Sequence, residues 1–292
     1  MDRESVLLTG GTGFIGQNLT AALSAGHDCI NVGRSVNSAC DNVHWDLASD
    51  FPGNQFSHRR IGCLVHCASI VGSAEHIPTE QYFDINIKAT ARLLDFAVRN
   101  GIRHFVYISS GAVYGEGDAI FTEADTCNPL NRYGLSKYIS EMICSSCGDR
   151  LKITILRPFF PYGAGQTGRL IPTLTERILN GSPVILNKDG RPVINPVHIS
   201  DFVSIALQII TQKITGTFNV CGDDALSILD ICRIISDKLN TDKPDYVYLD
   251  NRVLNLTGSS RKICDLFDYK MQVGFDEGIT EFINAYLGKA QT

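Results

Sequence analysis

The chain has no apolar run long enough to span a bilayer, no internal repeat and no low-complexity linker. The first absence argues against a membrane-spanning helix, and the others leave a globular chain without arrays or tethers. An excess of positive charge is missing too. With 26 Lys and Arg against 31 Asp and Glu, the net charge is -5, which argues against a nucleic-acid partner. The start, Met1-Asp2-Arg3-Glu4, runs straight into an apolar strand and lacks the layout of a signal peptide, so a cytoplasmic protein is expected. A disulfide framework is not implied. The ten cysteines are scattered, and Cys29, Cys63, Cys67, Cys221 and Cys232 sit in apolar runs, where a thiol behaves as a small hydrophobe. Cys144 and Cys147 have CxxC spacing, but no second pair completes a zinc site. They are read as helix packing, and no metal is expected.

What is present is glycine and alternation. At 292 residues the chain can form one large core or two modest domains. Strand-like runs at Ser5–Thr9, Cys29–Val32, Cys63–His66, Phe105–Ser109 and Ile153–Arg157 alternate with helical patterns, clearest in Gly16–Ala25, Ile85–Arg99 and Tyr133–Cys144. Such alternation predicts an α/β fold, a Rossmann-type doubly wound parallel sheet covered by helices on both faces. Ala89, Leu93, Leu94, Ala97 and Val98 share one helical stripe. Beyond about residue 165 the character changes. Helices are expected at 169–180, 201–211, 226–239 (with Ser227 in the N-cap position) and 279–287, and strands at 183–186 and 217–220. The expected division is a nucleotide-binding domain over residues 1–165, with returns near 196–222, and a smaller α/β substrate domain over 166–292.

The first strand runs into Gly10-Gly11-Thr12-Gly13-Phe14-Ile15-Gly16 and then a helix. Gly10 allows the tight turn, Gly13 lets the backbone approach a pyrophosphate, and Gly16 lets the helix pack close to the strand. The helix N-terminus, with Phe14 and Ile15, then faces the phosphates. The tip of the second strand reads Val32-Gly33-Arg34-Ser35, without the acid that holds the adenosine ribose of NAD. Arg34 can instead meet a 2′-phosphate. The expected cofactor is therefore NADP or NAD, with a slight lean to NADP. Asp46, just after a strand-like run, is placed to reach the adenine amino group, with Leu47 beside it.

Tyr133-Gly134-Leu135-Ser136-Lys137 puts a phenol and an ammonium four residues apart on one helical face. A nearby Lys⁺ favours the phenolate, so Tyr133 can exchange a proton with a substrate hydroxyl. Lys137 would also hold the nicotinamide ribose. Ser110, at the end of the preceding strand in Ser109–Gly115, is placed to hydrogen-bond the reacting oxygen.

These motifs together resemble the extended short-chain dehydrogenase/reductase family of sugar-nucleotide epimerases, dehydratases and 4-ketoreductases. GGTGFIG at 10–16 is similar to the family's cofactor turn. Val65-His66-Cys67-Ala68-Ser69 resembles its fourth-strand motif, and Asn86 with Thr90 the start of its next helix. The likeness continues through Ser109–Gly115, Tyr133 to Lys137, Leu156-Arg157-Pro158, Tyr162-Gly163, Val197–Asp201 and Phe218-Asn219-Val220. It implies that Cys67, Ala68, Ser69, Asn86 and Pro158 line the cofactor, and that the substrate meets Ser110, Gly111, Ala112, Tyr133 and Phe160. Gly111 and Ala112 stand where the family's 4,6-dehydratases hold an acid pair, which argues against that chemistry. Phe160 and Ile194 replace an Asn and an Arg that help hold a substrate diphosphate. Arg169, Lys188, Arg191 or Arg252 could compensate. The leading expectation is an NAD(P)-dependent epimerase or ketoreductase of a nucleotide-activated sugar. A reductase of a non-sugar ketone or aldehyde is the second, and a non-catalytic cofactor sensor the third. Many relatives pair as dimers through helices of the first domain; the stripes at Ile85–Arg99 and Tyr133–Cys144 would allow a homodimer and would equally serve as core.

Overall fold

The structure is a computed structural model, described here for residues 4–72, 77–187, 189–242, 244–250 and 253–290. Lys188 and Arg252 lie outside the described residues. The chain divides into two compact units. The first comprises Met1–Gly115, Asp125–Arg157 and Val203–Phe218, and the second Glu116–Ala124, Pro158–Phe202 and Asn219–Thr292.

The first unit is built on a sheet of seven strands in the order β3-β2-β1-β4-β5-β6-β9. These are β1 (Ser5–Thr9), β2 (Asp28–Gly33), β3 (Asp41–His44), β4 (Ile61–His66), β5 (His104–Ile108), β6 (Lys152–Pro158) and β9 (Gly216–Val220). All pairings from β3 across to β6 are parallel. This is the expected Rossmann-type doubly wound sheet. Strands β1, β4 and β5 are apolar almost throughout, as a sheet covered on both faces requires. The strand order reverses between β1 and β4, so a crevice opens at their carboxyl ends. The helix α1 (Phe14–Ser24) follows β1 at once. A short turn, α2 (Thr79–Gln81), runs through a π-helical stretch at Tyr82–Lys88 into α3 (Ala89–Arg99). The stripe of Ala89, Leu93, Leu94 and Ala97 is buried against Leu64, Phe105 and Tyr107 in the core. The helix α4 (Arg132–Ser145) begins at Asn131, whose side chain accepts from the Gly134 N–H at 2.9 Å. Cys144 is fully buried in this core with Cys147 packed against it, as the packing reading expected, and all ten thiols are free. Among the described residues no cluster of His, Cys, Asp or Glu could hold a metal, and no helix is long and apolar enough to cross a membrane.

The second unit gathers α5 (Leu170–Leu179), α7 (Ile228–Leu239) and α9 (Phe275–Ala290) around Ile171, Leu174, Ile194, Ile231, Ile235, Ile279 and Phe282. Two small sheets accompany them: β7 (Val184–Asn187) with β11 (Tyr246–Leu249), and β8 (Val193–Ile194) with β10 (Leu226–Ser227). The helix α6 (Ile199–Gln212) starts in this unit and ends in the first. The helix expected from Leu226 begins two residues later. Ser227 caps it by accepting from the Asp230 N–H at 3.1 Å, and a capping residue is extended, which leaves Leu226 free to pair with Ile194.

Candidate active site

In the first unit, the cofactor turn follows β1, the Cys67–Ser69 segment follows β4, and Ser110 and the helix that carries Tyr133 and Lys137 follow β5. Gly10 has φ 72°, and a β-carbon there would sit 2.7 Å from the Ala68 nitrogen, so this turn packs directly on the segment after β4. A β-carbon on Gly16 would collide with the Gly10 carbonyl oxygen, which fixes the close approach of α1 to the turn. Gly13 differs. Its β-carbon would lie 3.3 Å from the Gly10 oxygen, a tight contact that a small shift relieves, so packing restricts this position far less than it does Gly10 or Gly16. A side chain at 13 would instead fill the cradle at the start of α1, where the first helical N–H groups have no intrahelical acceptor. This arrangement fits the pyrophosphate of a dinucleotide.

Polar residues within the unit brace the cradle. The Gly11 N–H donates to Asn31 at 3.1 Å, and the Asn31 amide donates to Asn42 at 2.9 Å. Asn37 donates to the Gly11 oxygen at 2.6 Å. None of these asparagines was singled out from the sequence; the available signal was an Asn in the middle of the apolar run Cys29–Val32. Arg34 is exposed at the end of β2, and Asp46 lies close to the end of the neighbouring β3. Asp46 is engaged locally, its carboxylate accepting from the Ala48 N–H at 2.9 Å. Leu47 packs partly on the core, and its carbonyl accepts from Arg92 at 3.3 Å.

Beyond β4, the Cys67 and Ala68 N–H groups donate to the Thr9 carbonyl and hydroxyl, at 3.2 and 3.3 Å. Beneath them His66 is fully buried between Thr9 at 2.6 Å and Thr90 at 3.1 Å, and burial pushes its pKa down to about 3. It is a neutral bridge. Asn86, in the π-helical stretch, is buried as well. Its carbonyl accepts from the Ile70 N–H at 2.8 Å, and its amide donates to the Ile70 oxygen at 3.1 Å and to Ser136 at 2.8 Å. Both amide hydrogens are thus committed inside the protein, tying the Cys67–Ile70 segment to α4.

Ser110 caps the short turn Gly111–Tyr114, its hydroxyl accepting from the Ala112 N–H at 3.1 Å. This turn packs directly on the first turn of α4: a β-carbon on Gly134 would lie 2.5 Å from the Ala112 oxygen. The glycine after Tyr133 is what lets the Ser110 segment and the Tyr133 segment meet. Tyr133 is half-buried and Lys137 fully so. The Lys137 ammonium donates to the Ile108 carbonyl at 2.6 Å and lies 4.7 Å above the Tyr107 ring centre. Burial pushes its pKa down to about 8, with partial opposition from the thiol of Cys67 and the carboxylate of Glu141.

The remaining expected residues lie in the second unit. Pro158 is buried at the end of β6. Phe160 is half-buried with φ 43°, a left-handed conformation unusual for a bulky residue and better suited to the Asn found in the family. Arg169 is exposed at the N-cap of α5. Arg191 is engaged by Asp118 at 2.7 Å and by Asp189 at 3.0 Å. Ile194 is fully buried in the hydrophobic core.

The glycine turn and the Ser, Tyr and Lys trio on a doubly wound sheet are those of an enzyme of the short-chain dehydrogenase/reductase type. Residues 6–221 match the model of the NAD dependent epimerase/dehydratase family. The UDP-glucose 4-epimerase of Vibrio cholerae is 31% identical over 258 residues, covering 83% of this chain and 77% of that protein. The chain belongs to the NAD dependent epimerase/dehydratase family. Among solved structures, MoeE5 in complex with UDP-glucose and NAD aligns at a TM-score of 0.88 and 25% identity, over 98% of this chain and 99% of that one. The UDP-glucuronic acid 4-epimerase of Bacillus cereus, in complex with UDP-glucuronic acid and NAD, reaches 0.88 at 22% identity, over 98% of this chain and 99% of that one, a likeness of fold. Both complexes carry NAD, so the expected lean to NADP through Arg34 finds no support in them.

Proposed function

We propose that the protein is an NAD-dependent epimerase of a UDP-sugar in which Tyr133 is the acid/base. The observation that carries this reading is the contact between the Ser110 turn and the first turn of α4, with a buried ammonium one helical turn beyond Tyr133. In this reading Gly10, Gly13, Phe14, Ile15 and Gly16 hold the pyrophosphate. Arg34, Asp46 and Leu47 lie towards the adenosine, and Cys67, Ala68, Ser69 and Lys137 towards the nicotinamide half. When bound, the nicotinamide supplies a reversible hydride acceptor. Tyr133 takes the proton of a sugar hydroxyl and later returns it. The charge of Lys137 favours the phenolate, and with a pKa of about 8 the lysine is still protonated at neutral pH. Ser110 has its hydroxyl oriented by the Ala112 N–H and donates to the reacting oxygen. Asn86 acts indirectly, through Ile70 and Ser136.

The relatives' UDP-sugars and the missing acid pair at Gly111 and Ala112 favour epimerisation over dehydration. A second reading, a reductase of a ketone without a diphosphate, is favoured by the second unit: Ile194 is core and Arg191 is bound by two carboxylates. One experiment separates them. The purified protein is denatured and any released nucleotide identified. Stoichiometric NAD supports the epimerase, in which the cofactor is regenerated in each turnover. A protein that releases none and binds NADPH on titration supports the reductase.

A further inference from the structure

One turn beyond Lys137 on α4, Glu141 forms a buried ion pair with Arg157 of β6, and the mechanism above does not use it. Glu141 is 3% exposed and Arg157 6%. One Glu141 oxygen accepts from the Arg157 Nε at 3.0 Å and the other from its Nη2 at 2.6 Å. The first oxygen also accepts from the Ser109 hydroxyl at 2.5 Å. The free arm of the guanidinium, Nη1, donates to the Tyr114 hydroxyl at 2.6 Å, with the guanidinium carbon 4.8 Å from that ring's centre. The Arg157 pKa is raised above its ordinary value: burial opposes the charge, and the Glu141 carboxylate outweighs it.

The partners define the role. Ser109 immediately precedes Ser110, and Tyr114 ends the turn that Ser110 begins. Glu141 therefore holds one end of the Ser110 turn directly and the other through Arg157, while the middle of the turn rests on Gly134. All three contacts refer the turn to the helix that carries Tyr133 and Lys137. Buried ion pairs contribute little net stability compared with well-packed apolar residues of similar size. Their geometry, however, is stiff, because a bidentate fork fixes both partners. We infer that Glu141 and Arg157 are a positioning pair that sets the Ser110 turn against α4. This inference rests on the proposed roles of Ser110 and Tyr133.

The test uses the full chain with Glu141→Gln, Arg157→Lys and the apolar pair Glu141→Met with Arg157→Met. Hydrogen exchange of the amides over residues 111–115 is followed first, since it requires no substrate. At least a tenfold acceleration there in Glu141→Gln, with the β1 and β4 amides unchanged, is expected; exchange equal to wild type overturns the tether. Turnover of UDP-glucose is then measured. A misplacement of about 1 Å costs on the order of a hundredfold, so kcat is expected to fall by about 10- to 100-fold while KM changes little. Arg157→Lys should not rescue, because an ammonium lacks the fork. The Met pair should keep the unfolding midpoint and still lose kcat. Wild-type kcat in that pair would show that the charges serve packing alone and overturn the inference. In a Ser110→Ala background, Glu141→Gln should add little; full additivity would also contradict it. Should Tyr133→Phe retain turnover, the proposed function fails, and the exchange measurement still decides the tether.

Discussion

The two units differ at the positions that the family resemblance assigns to ligands. In the first, buried polar groups brace backbone that faces a cradle: Asn31 and Asn37 hold Gly11, Asn86 holds Ile70, and Glu141 holds Ser109. In the second, the positions where the family resemblance implies diphosphate contacts carry Phe160 and Ile194, and Arg191 is already paired with two carboxylates. In the proposed function the first unit would hold the dinucleotide by its backbone, and the second would meet a substrate through residues other than the family's usual ones.

Glycine substitutions break that comparison most sharply. Gly13→Val should weaken dinucleotide binding by more than about a hundredfold while lowering the unfolding midpoint far less than Gly10→Val does, because its β-carbon meets only the Gly10 oxygen, at 3.3 Å. Gly10→Val should instead destabilise the fold, since φ 72° is strained for a β-branched residue and the Ala68 backbone is in the way. Calorimetry with NAD alongside thermal unfolding separates the two effects. If Gly13→Val unfolds the protein as Gly10→Val does, glycine 13 belongs to the packing and not to a cradle.

Lys137→Met should separate activity from stability. Burial holds the Lys137 pKa at about 8 in the folded state, below its unfolded value of about 10.4. The unfolded chain therefore binds more protons between about pH 8 and pH 10.4, and this lysine's penalty on folding disappears as pH rises through that window. At pH 7 the penalty is up to about 3 kcal/mol. The variant is expected to be inactive yet more stable at pH 7, with its advantage shrinking towards pH 10. A variant less stable than wild type at pH 7 would mean that the Ile108 hydrogen bond and the Tyr107 contact outweigh desolvation.

The smallest effect is expected in the second unit. Phe160→Asn relieves about 1 kcal/mol of left-handed strain and loses a comparable amount of half-buried ring, so the unfolding midpoint should shift by less than about 1 kcal/mol. For a UDP-sugar substrate it should also lower KM. A loss above about 3 kcal/mol would place Phe160 in the core and not at a site.

How much of this was legible follows from what each feature needs. The strand β1 was expected over the same five residues, and Ser227 was expected as a cap, because both signals are local. The cofactor turn and the Tyr133 to Lys137 spacing were likewise legible, since glycines at 10, 13 and 16 and a four-residue helical offset are written in the order of residues. The strand β3 was missed from the strand runs because Asp41-Asn42-Val43-His44 is mostly exposed and polar, and β8 and β10 because two residues show no period. Glu141 reads as a surface residue on a helix; its burial depends on Arg157, which the sequence places on the strand β6. Asn86 was expected at the cofactor from its motif, but its bonds to Ile70 and Ser136 exist only in three dimensions.

The account turns on Tyr133. Wild type and Tyr133→Phe are incubated separately with UDP-glucose, and the sugar's ring protons are followed by NMR. The account predicts conversion to an equilibrium mixture of epimers by wild type without added cofactor, and a rate lower by about 10²- to 10⁴-fold in Tyr133→Phe with NAD still bound. Equal rates in the two proteins would contradict it.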